Sequence, residues 1–208
     1  MAGRFITLEG GEGTGKSTQI KRLAASLETK GIPVLATREP GGSPGAEQIR
    51  ALMVEGEPGR WDAITETLLA YAARADHVAR TIGPALLAGR WVISDRFSDS
   101  TFAYQGVGRG VPRETIRRID SAVLDDFAPD LTLVLDLDVT LGLQRAMTRG
   151  VAENRFEKFG ADFHEKLRQA FLDIARRNPE RCRVIDAGGS EDQVAAAILA
   201  AVSRRFDL

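Results

Sequence analysis

The chain has 208 residues and a mass of 22.5 kDa, enough for one well-buried core and a single domain spanning residues 1–208. Its 28 basic and 29 acidic side chains leave a formal net charge of -1, which argues against a nucleic-acid coat or a polybasic membrane binder. A single cysteine, Cys182, excludes an internal disulfide and fits a reducing compartment, so a cytoplasmic protein without nucleic-acid or membrane partners is expected.

The N-terminus leads directly into Phe5-Ile6-Thr7-Leu8, an apolar run of strand length. It lacks the charged start and long apolar stretch of a signal peptide. A helical pattern follows from Ser17 to about Leu27, with Gly31 expected to cap its end and Pro33 to stop it. Val34-Leu35-Ala36-Thr37 reads as a second strand. A long helical region is expected over about Asp62 to Leu87, bent at Gly83-Pro84. Trp91-Val92-Ile93-Ser94, closed by Asp95, is a third strand, Leu131 to Leu137 a fourth, and Arg183-Val184-Ile185 a fifth. Ser190 with Gln193 forms a capping box that opens the last helix. Strands without polar alternation, separated by helices, predict an α/β fold: a parallel sheet covered by helices on both faces.

Between the first strand and first helix lies Gly10-Gly11-Glu12-Gly13-Thr14-Gly15-Lys16-Ser17, followed by Thr18. It matches G-x-x-x-x-G-K-[ST] in the strand-to-helix context that a phosphate-binding P-loop requires. Glycines there let successive backbone N–H groups turn toward a phosphate, at the positive end of a helix. Lys16 is expected to reach the β- and γ-phosphates of ATP, and the Ser17 hydroxyl to ligate Mg²⁺. A second carboxylate on the Mg²⁺ side is expected at a strand end. Asp95 is the better candidate and Asp136 the rival, with Arg96 expected to pair with Asp95 and help hold the acceptor phosphate.

Further segments occur in a fixed order: Thr37-Arg38-Glu39-Pro40-Gly41-Gly42, Tyr71-Ala72-Ala73-Arg74, Asp95-Arg96-Phe97-Ser98-Asp99-Ser100-Thr101 running on to Ala103-Tyr104-Gln105-Gly106, and Pro129-Asp130-Leu131-Thr132. Together with the P-loop these resemble bacterial thymidylate kinases over nearly the whole chain. The resemblance implies a doubly wound sheet of five parallel strands, transfer of the γ-phosphate of ATP to dTMP to give dTDP, Mg²⁺ dependence and a homodimer. The apolar positions of the Asp62 to Leu87 helix can supply the dimer interface. Arg38 and Arg96 suit a clamp on the acceptor phosphate in fork geometry. By resemblance, Arg74 and Thr101 face the thymine edge, Gln105 orients the base, Tyr104 crowds the 2′ position, and Glu12 lies near the 3′-hydroxyl and acceptor phosphate. Glu39 either holds Arg38 or touches substrate. His77 and His164 lack metal-ligand partners and are read as structural.

After the fourth strand, Arg145, Arg149, Arg155 and Lys158 lie in a segment of about residues 145–160 punctuated by Gly150 and Gly160. In nucleotide kinases this place is a lid. Some thymidylate kinases carry an arginine in the P-loop where this chain has Gly13, so Arg149 and Arg155 are the candidates for the missing charge. By resemblance Arg145 packs on adenine. Two positions depart from the common pattern: Asn154 replaces an Asp before the lid arginine, and Ala70 replaces a Phe that stacks on thymine. Two rival readings are a kinase for another nucleoside monophosphate or deoxynucleoside, and a nucleotide-dependent switch without an acceptor. The acceptor-site arginines Arg38, Arg74 and Arg96 favour an enzyme.

Overall fold

The computed structural model describes residues 3–57, 59–148, 156 and 159–208. Five strands, β1 (Phe5–Glu9), β2 (Val34–Arg38), β3 (Trp91–Asp95), β4 (Leu131–Asp136) and β5 (Cys182–Asp186), form one sheet in the order β2-β3-β1-β4-β5. Every pairing is parallel. Parallel connections require crossovers, and helices supply them: α1 (Lys16–Glu28), α2 (Pro44–Val54), α3 (Ala63–His77), α4 (Gly83–Leu87), α5 (Ser98–Thr101), α6 (Arg113–Leu124), α7 (Val139–Met147), α8 (Ala161–Arg177) and α9 (Glu191–Phe206).

The absence of polar alternation marks the inner strands correctly. All five residues of β1 are buried, and so are the first four of β3 and the first five of β4. The edge strands β2 and β5 are half-exposed, because each has a neighbour on one side only. Alternate residues of β1 feed two different cores. Ile6 and Leu8 pack with Leu23 and Leu27 of α1 and with Ile198 and Val202 of α9. Phe5 faces the other way, into a cluster with Ile82 and Phe97. Burying each such side chain contributes roughly 1.5–3 kcal/mol.

Helix ends follow the local signals. The Gly31 N–H donates to Glu28 O at 2.9 Å and the Ile32 N–H to Leu27 O at 3.1 Å, with Gly31 at φ 76, so Gly31 closes α1 as a left-handed cap. Ser190 and Gln193 form the reciprocal capping box of α9. The expected Asp62 to Leu87 helix is interrupted earlier than Gly83-Pro84. Residues Val78–Ile82 form a π-helical turn in which the Gly83 N–H donates to Val78 O, five residues back. Pro84 has no N–H to continue the α-helical ladder, so the chain widens just before it. Helices α2, α5, α6, α7 and α8 lie in segments for which no helix is expected above.

The geometry brings charged residues to the carboxyl end of every strand: Glu9, Arg38, Asp95, Asp136 and Asp186. The register puts Leu8 beside Asp95 and Arg38 beside Asp95. The P-loop leaves β1 at the point where the strand order diverges, which is where open α/β sheets bind ligands.

Candidate active site

The P-loop is built on its own hydrogen bonds. Thr14 Oγ1 donates to Gly11 O at 3.0 Å, and Lys16 Nζ donates to Gly11 O at 2.8 Å and Gly10 O at 3.2 Å. Gly15 starts α1 with φ 86, a conformation that a side chain disfavours. Burial, followed by the nearby Arg96 guanidinium, pushes the Lys16 pKa down to about 8.

Ser17 Oγ donates to Asp95 Oδ2 at 2.8 Å. The hydroxyl and the carboxylate thus meet at the mouth of the loop, and both line the same cavity. Asp136 is engaged elsewhere, accepting from Arg168 Nε at 2.7 Å and Nη2 at 3.1 Å. Among the described residues no group of three His, Cys, Asp or Glu side chains is placed to enclose a metal. A pair of hard oxygen donors beside a phosphate loop fits Mg²⁺, which keeps waters and phosphate oxygens in its shell.

Arg96 differs from expectation in its partner. Its Nη2 donates to Glu12 Oε1 at 3.0 Å and its Nη1 to Gly10 O at 2.9 Å, rather than pairing with Asp95. The reason is backbone conformation: Arg96 has φ 74, and this left-handed turn swings the side chain back over the P-loop. Glu9 secures that turn, accepting from the Phe97 N–H at 2.8 Å and from Ser100 Oγ at 2.6 Å. Burial and the neighbouring Asp99 raise the Glu9 pKa to about 7. Sequence reasoning missed Glu9; its signal was an acid closing an otherwise apolar strand. Tyr104 Oη also donates to Glu12 Oε1, at 2.8 Å. Burial opposes the Glu12 charge, but Arg96 and Lys16 outweigh it and lower the pKa to about 2.

On the opposite wall Arg38 Nη2 contacts both carboxylate oxygens of Glu47, at 3.2 and 3.1 Å, while its side chain stays half-exposed. Glu39 therefore does not hold Arg38; it accepts from Arg74 Nε at 2.8 Å. Arg74 also donates to Thr101 Oγ1 and to Phe97 O. Gln105 Nε2 donates to Glu66 Oε1 at 2.8 Å. Arg50, another residue that sequence reasoning missed, lines the cavity and donates to Pro40 O at 2.6 Å; an isolated arginine on α2 carries no signal of this.

A cavity of about 940 Å³ joins the two walls. It is lined by Glu12 to Ser17 of the P-loop, by Arg38, Asp95 and Arg96, and by Ala70, Arg74, Thr101, Tyr104 and Gln105. Residues as far apart in the chain as Glu12 and Gln105 are thus brought to one hollow, at the upper end of the roughly 300–1,000 Å³ usual for ligand pockets. Tyr71 is not on its wall: the ring is buried beneath Arg74, and its hydroxyl donates to Asp120 Oδ1 at 2.7 Å. Thr18 is exposed on the first turn of α1 and Arg145 donates to Ala187 O at 3.1 Å, so neither is among the cavity-lining residues. Arg149, Asn154, Arg155 and Lys158 lie outside the described residues.

His77 is fully buried and bonded to Glu39 and Thr37. His164 is buried beside Phe163, and its ring nitrogens have no partner among the described residues.

The sequence model of the family described as thymidylate kinase matches residues 8–198. The chain belongs to the thymidylate kinase family. It is 55% identical over 206 residues to the thymidylate kinase of Caulobacter vibrioides, covering 99% of each chain. It is 52% identical over 204 residues to that of Rhizorhabdus wittichii, covering 98% of each. Among solved structures it is similar to the thymidylate kinase of Ehrlichia chaffeensis, with a TM-score of 0.78 and 34% identity over 97% of this chain and 99% of that one. Thymidylate kinase relatives thus match along essentially the full chain, including both walls of the cavity. Among the described residues no helix is long and apolar enough to cross a membrane.

Proposed function

We propose that the chain transfers the γ-phosphate of ATP to dTMP, giving dTDP and ADP, a step toward dTTP. The observation that carries this reading is the single cavity shared by a P-loop and a wall bearing Arg38, Arg74 and Arg96. A nucleotide switch needs the first wall only. Phosphoryl transfer needs two nucleotides held in line and their charge neutralised, with little covalent chemistry from the protein.

In this reading the backbone of Gly10 to Gly15 and the Lys16 ammonium cradle the ATP phosphates. Ser17 and Asp95 would hold Mg²⁺, which when bound neutralises charge on the β- and γ-phosphates. Arg96, fixed over the P-loop by Glu12 and Gly10, and Arg38 grip the acceptor phosphate. Arg74 and Thr101 read the edge of the base, with Gln105 beside them. Tyr104 and Glu12 stand at the sugar, where the Tyr104 ring restricts the 2′ side. Cytoplasmic function fits the lone buried thiol of Cys182. A homodimer is supported by an apolar face on α2 and α3, where Leu52, Ile64 and Leu68 are 40%, 42% and 52% exposed.

The test is a coupled assay of ADP release with Mg²⁺ and ATP. Release should depend on dTMP and exceed that with dCMP, UMP or thymidine as acceptor. Acceptor-independent ADP release would favour the switch reading, and a preference for another acceptor would reassign the base pocket.

A further inference from the structure

Arg74 has five N–H groups, and the described contacts use four of them. Nε donates to Glu39 Oε2 at 2.8 Å, one Nη1 hydrogen goes to Thr101 Oγ1 at 3.2 Å, and Nη2 serves Thr101 Oγ1 at 3.2 Å and Phe97 O at 3.1 Å. The guanidinium carbon also lies over the Tyr71 ring at 4.7 Å and the Phe97 ring at 5.2 Å. One Nη1 hydrogen is left without a partner among the described residues, on a side chain that lines the cavity. A single donor reads a base edge well only if its direction is fixed, and a guanidinium turns about Nε. Glu39 on Nε, together with Thr101 and Phe97 O on the Nη groups, therefore sets the direction of that donor.

Glu39 is itself held from behind. Its second oxygen, Oε1, lies 3.0 Å from His77 Nδ1, and His77 Nε2 lies 2.7 Å from Thr37 Oγ1. A carboxylate oxygen can only accept, so Nδ1–H donates to Glu39 Oε1, while Nε2 and Thr37 Oγ1 pair on the far side of the ring. The threonine hydroxyl on one nitrogen thus holds the ring with the other nitrogen turned to Glu39. The imidazole is wholly buried, and neither Thr37 nor His77 lines the cavity. Gly42, at φ 85, closes over this bond; a Cβ there would lie 2.3 Å from His77 Nε2 and 2.5 Å from Thr37 Oγ1. Three residues of the Thr37-to-Gly42 segment, on either side of Arg38, thus converge on one histidine forty positions away.

We infer that His77, with Thr37 behind it, is a specificity-determining positioning residue: it locks the Glu39 carboxylate so that the remaining Nη1–H of Arg74 meets a carbonyl on the acceptor base and not an amino group. The inference rests on the reading of Arg74 as a base-contacting residue. A buried histidine that merely completes the core would affect stability alone.

The test compares kcat and KM for dTMP and dCMP, and KM for ATP, alongside thermal melting. His77→Leu removes the donor to Glu39 and should raise the KM for dTMP about tenfold, the scale of losing a hydrogen bond to a charged group. Its kcat and KM for ATP should stay within about twofold of the parent, and the dTMP-to-dCMP ratio of kcat/KM should narrow. His77→Asn retains an N–H donor near the Nδ1 position and should recover most of the ratio. Thr37→Val should shift the ratio in the same direction by less, and Thr37→Ser should restore it. A folded His77→Leu protein with the parental ratio overturns the inference. If His77→Leu does not fold, the Thr37 pair decides, and an unchanged ratio in Thr37→Val overturns it equally. Arg74→Met separates the two levels. If it leaves the ratio intact, the base-reading role fails and the relay with it; if it collapses the ratio while the relay variants do not, the relay alone fails.

Discussion

Gly13 in the P-loop and Gly142 in α7 touch backbone to backbone. A Cβ built on Gly13 would lie 1.9 Å from Gly142 O, and a Cβ on Gly142 would lie 2.6 Å from Glu12 O. Gly13 also sits at φ 71, so both its conformation and its surroundings demand glycine. The space that a P-loop arginine would need is filled by the helix that leads into residues 149–158. Helix α7 thereby braces the loop segment carrying Glu12.

Gly142→Ala tests that brace against local propensity. Inside a helix this exchange ordinarily stabilises by roughly 1 kcal/mol. Here the added methyl must push Glu12 and the P-loop aside, so kcat should fall by about tenfold or more while the melting temperature changes little. Steady-state kinetics beside a thermal melt read both. An unaltered kcat would mean that the loop yields freely and the contact is passive.

Lys16 is depressed to about pH 8 by burial and Arg96. Phosphate oxygens favour the ammonium, so binding ATP or ADP should raise that pKa and take up a proton. The sign is fixed: uptake should be near zero at pH 6.5, where Lys16 is already charged, and should grow between pH 8 and 9. Calorimetry in buffers of different ionisation enthalpy measures it directly. Lys16→Ala should abolish both the uptake and turnover while leaving the fold intact. Uptake that persists in the variant would assign the proton to another group.

Glu9 provides a pH signature of stability. Its pKa is raised to about 7 from an ordinary 4.5, so the folded state holds a proton that the unfolded chain has released. Stability from this group is present at low pH and declines as the pH climbs from about 4.5 through 7. Glu9→Gln removes the dependence. The variant should gain on the parent between pH 5 and pH 8, by at most about 3 kcal/mol, from 1.36 kcal/mol per pKa unit. Denaturant melts at the two pH values check this; parallel curves would show that Glu9 ionises without cost.

Ala70 lies on the cavity wall one turn before Arg74, and Tyr71 cannot turn in beside it, being tied to Asp120 and stacked under Arg74. Tyr71 therefore leaves unfilled the side of the cavity proposed to face thymine. Ala70→Phe should tighten dTMP binding several-fold with kcat little changed, since an aromatic pair contributes about 0.5–1.5 kcal/mol. Titration of dTMP into both proteins by calorimetry gives the answer, and weaker binding by the variant would mean that the ring clashes.

The sequence alone determined what is encoded contiguously. The P-loop, the buried runs of β1, β3 and β4, the Gly31 cap and the Ser190–Gln193 capping box each depend on neighbours within a few residues, so local sterics and hydrogen bonding write them into the chain. Helix α2 was equally local, opened by Ser43 at the N-cap and Pro44 at the first turn, with Ala46, Ile49 and Met53 at helical spacing. The ordered motifs also pointed to Arg38, Arg74 and Arg96 as a set. Their partners were decided only in three dimensions. Arg96 chose Glu12 over the adjacent Asp95 because its left-handed backbone turns it away. Glu39 chose Arg74 and His77 over the adjacent Arg38. β3 and β4 both flank β1, so either strand-end acid was within the sheet's reach; Asp95 meets Ser17, while Asp136 is taken by Arg168 of α8. An ion pair forms between the charges that the sheet order and backbone turns bring within about 3 Å, and nothing in sequence proximity carries that distance.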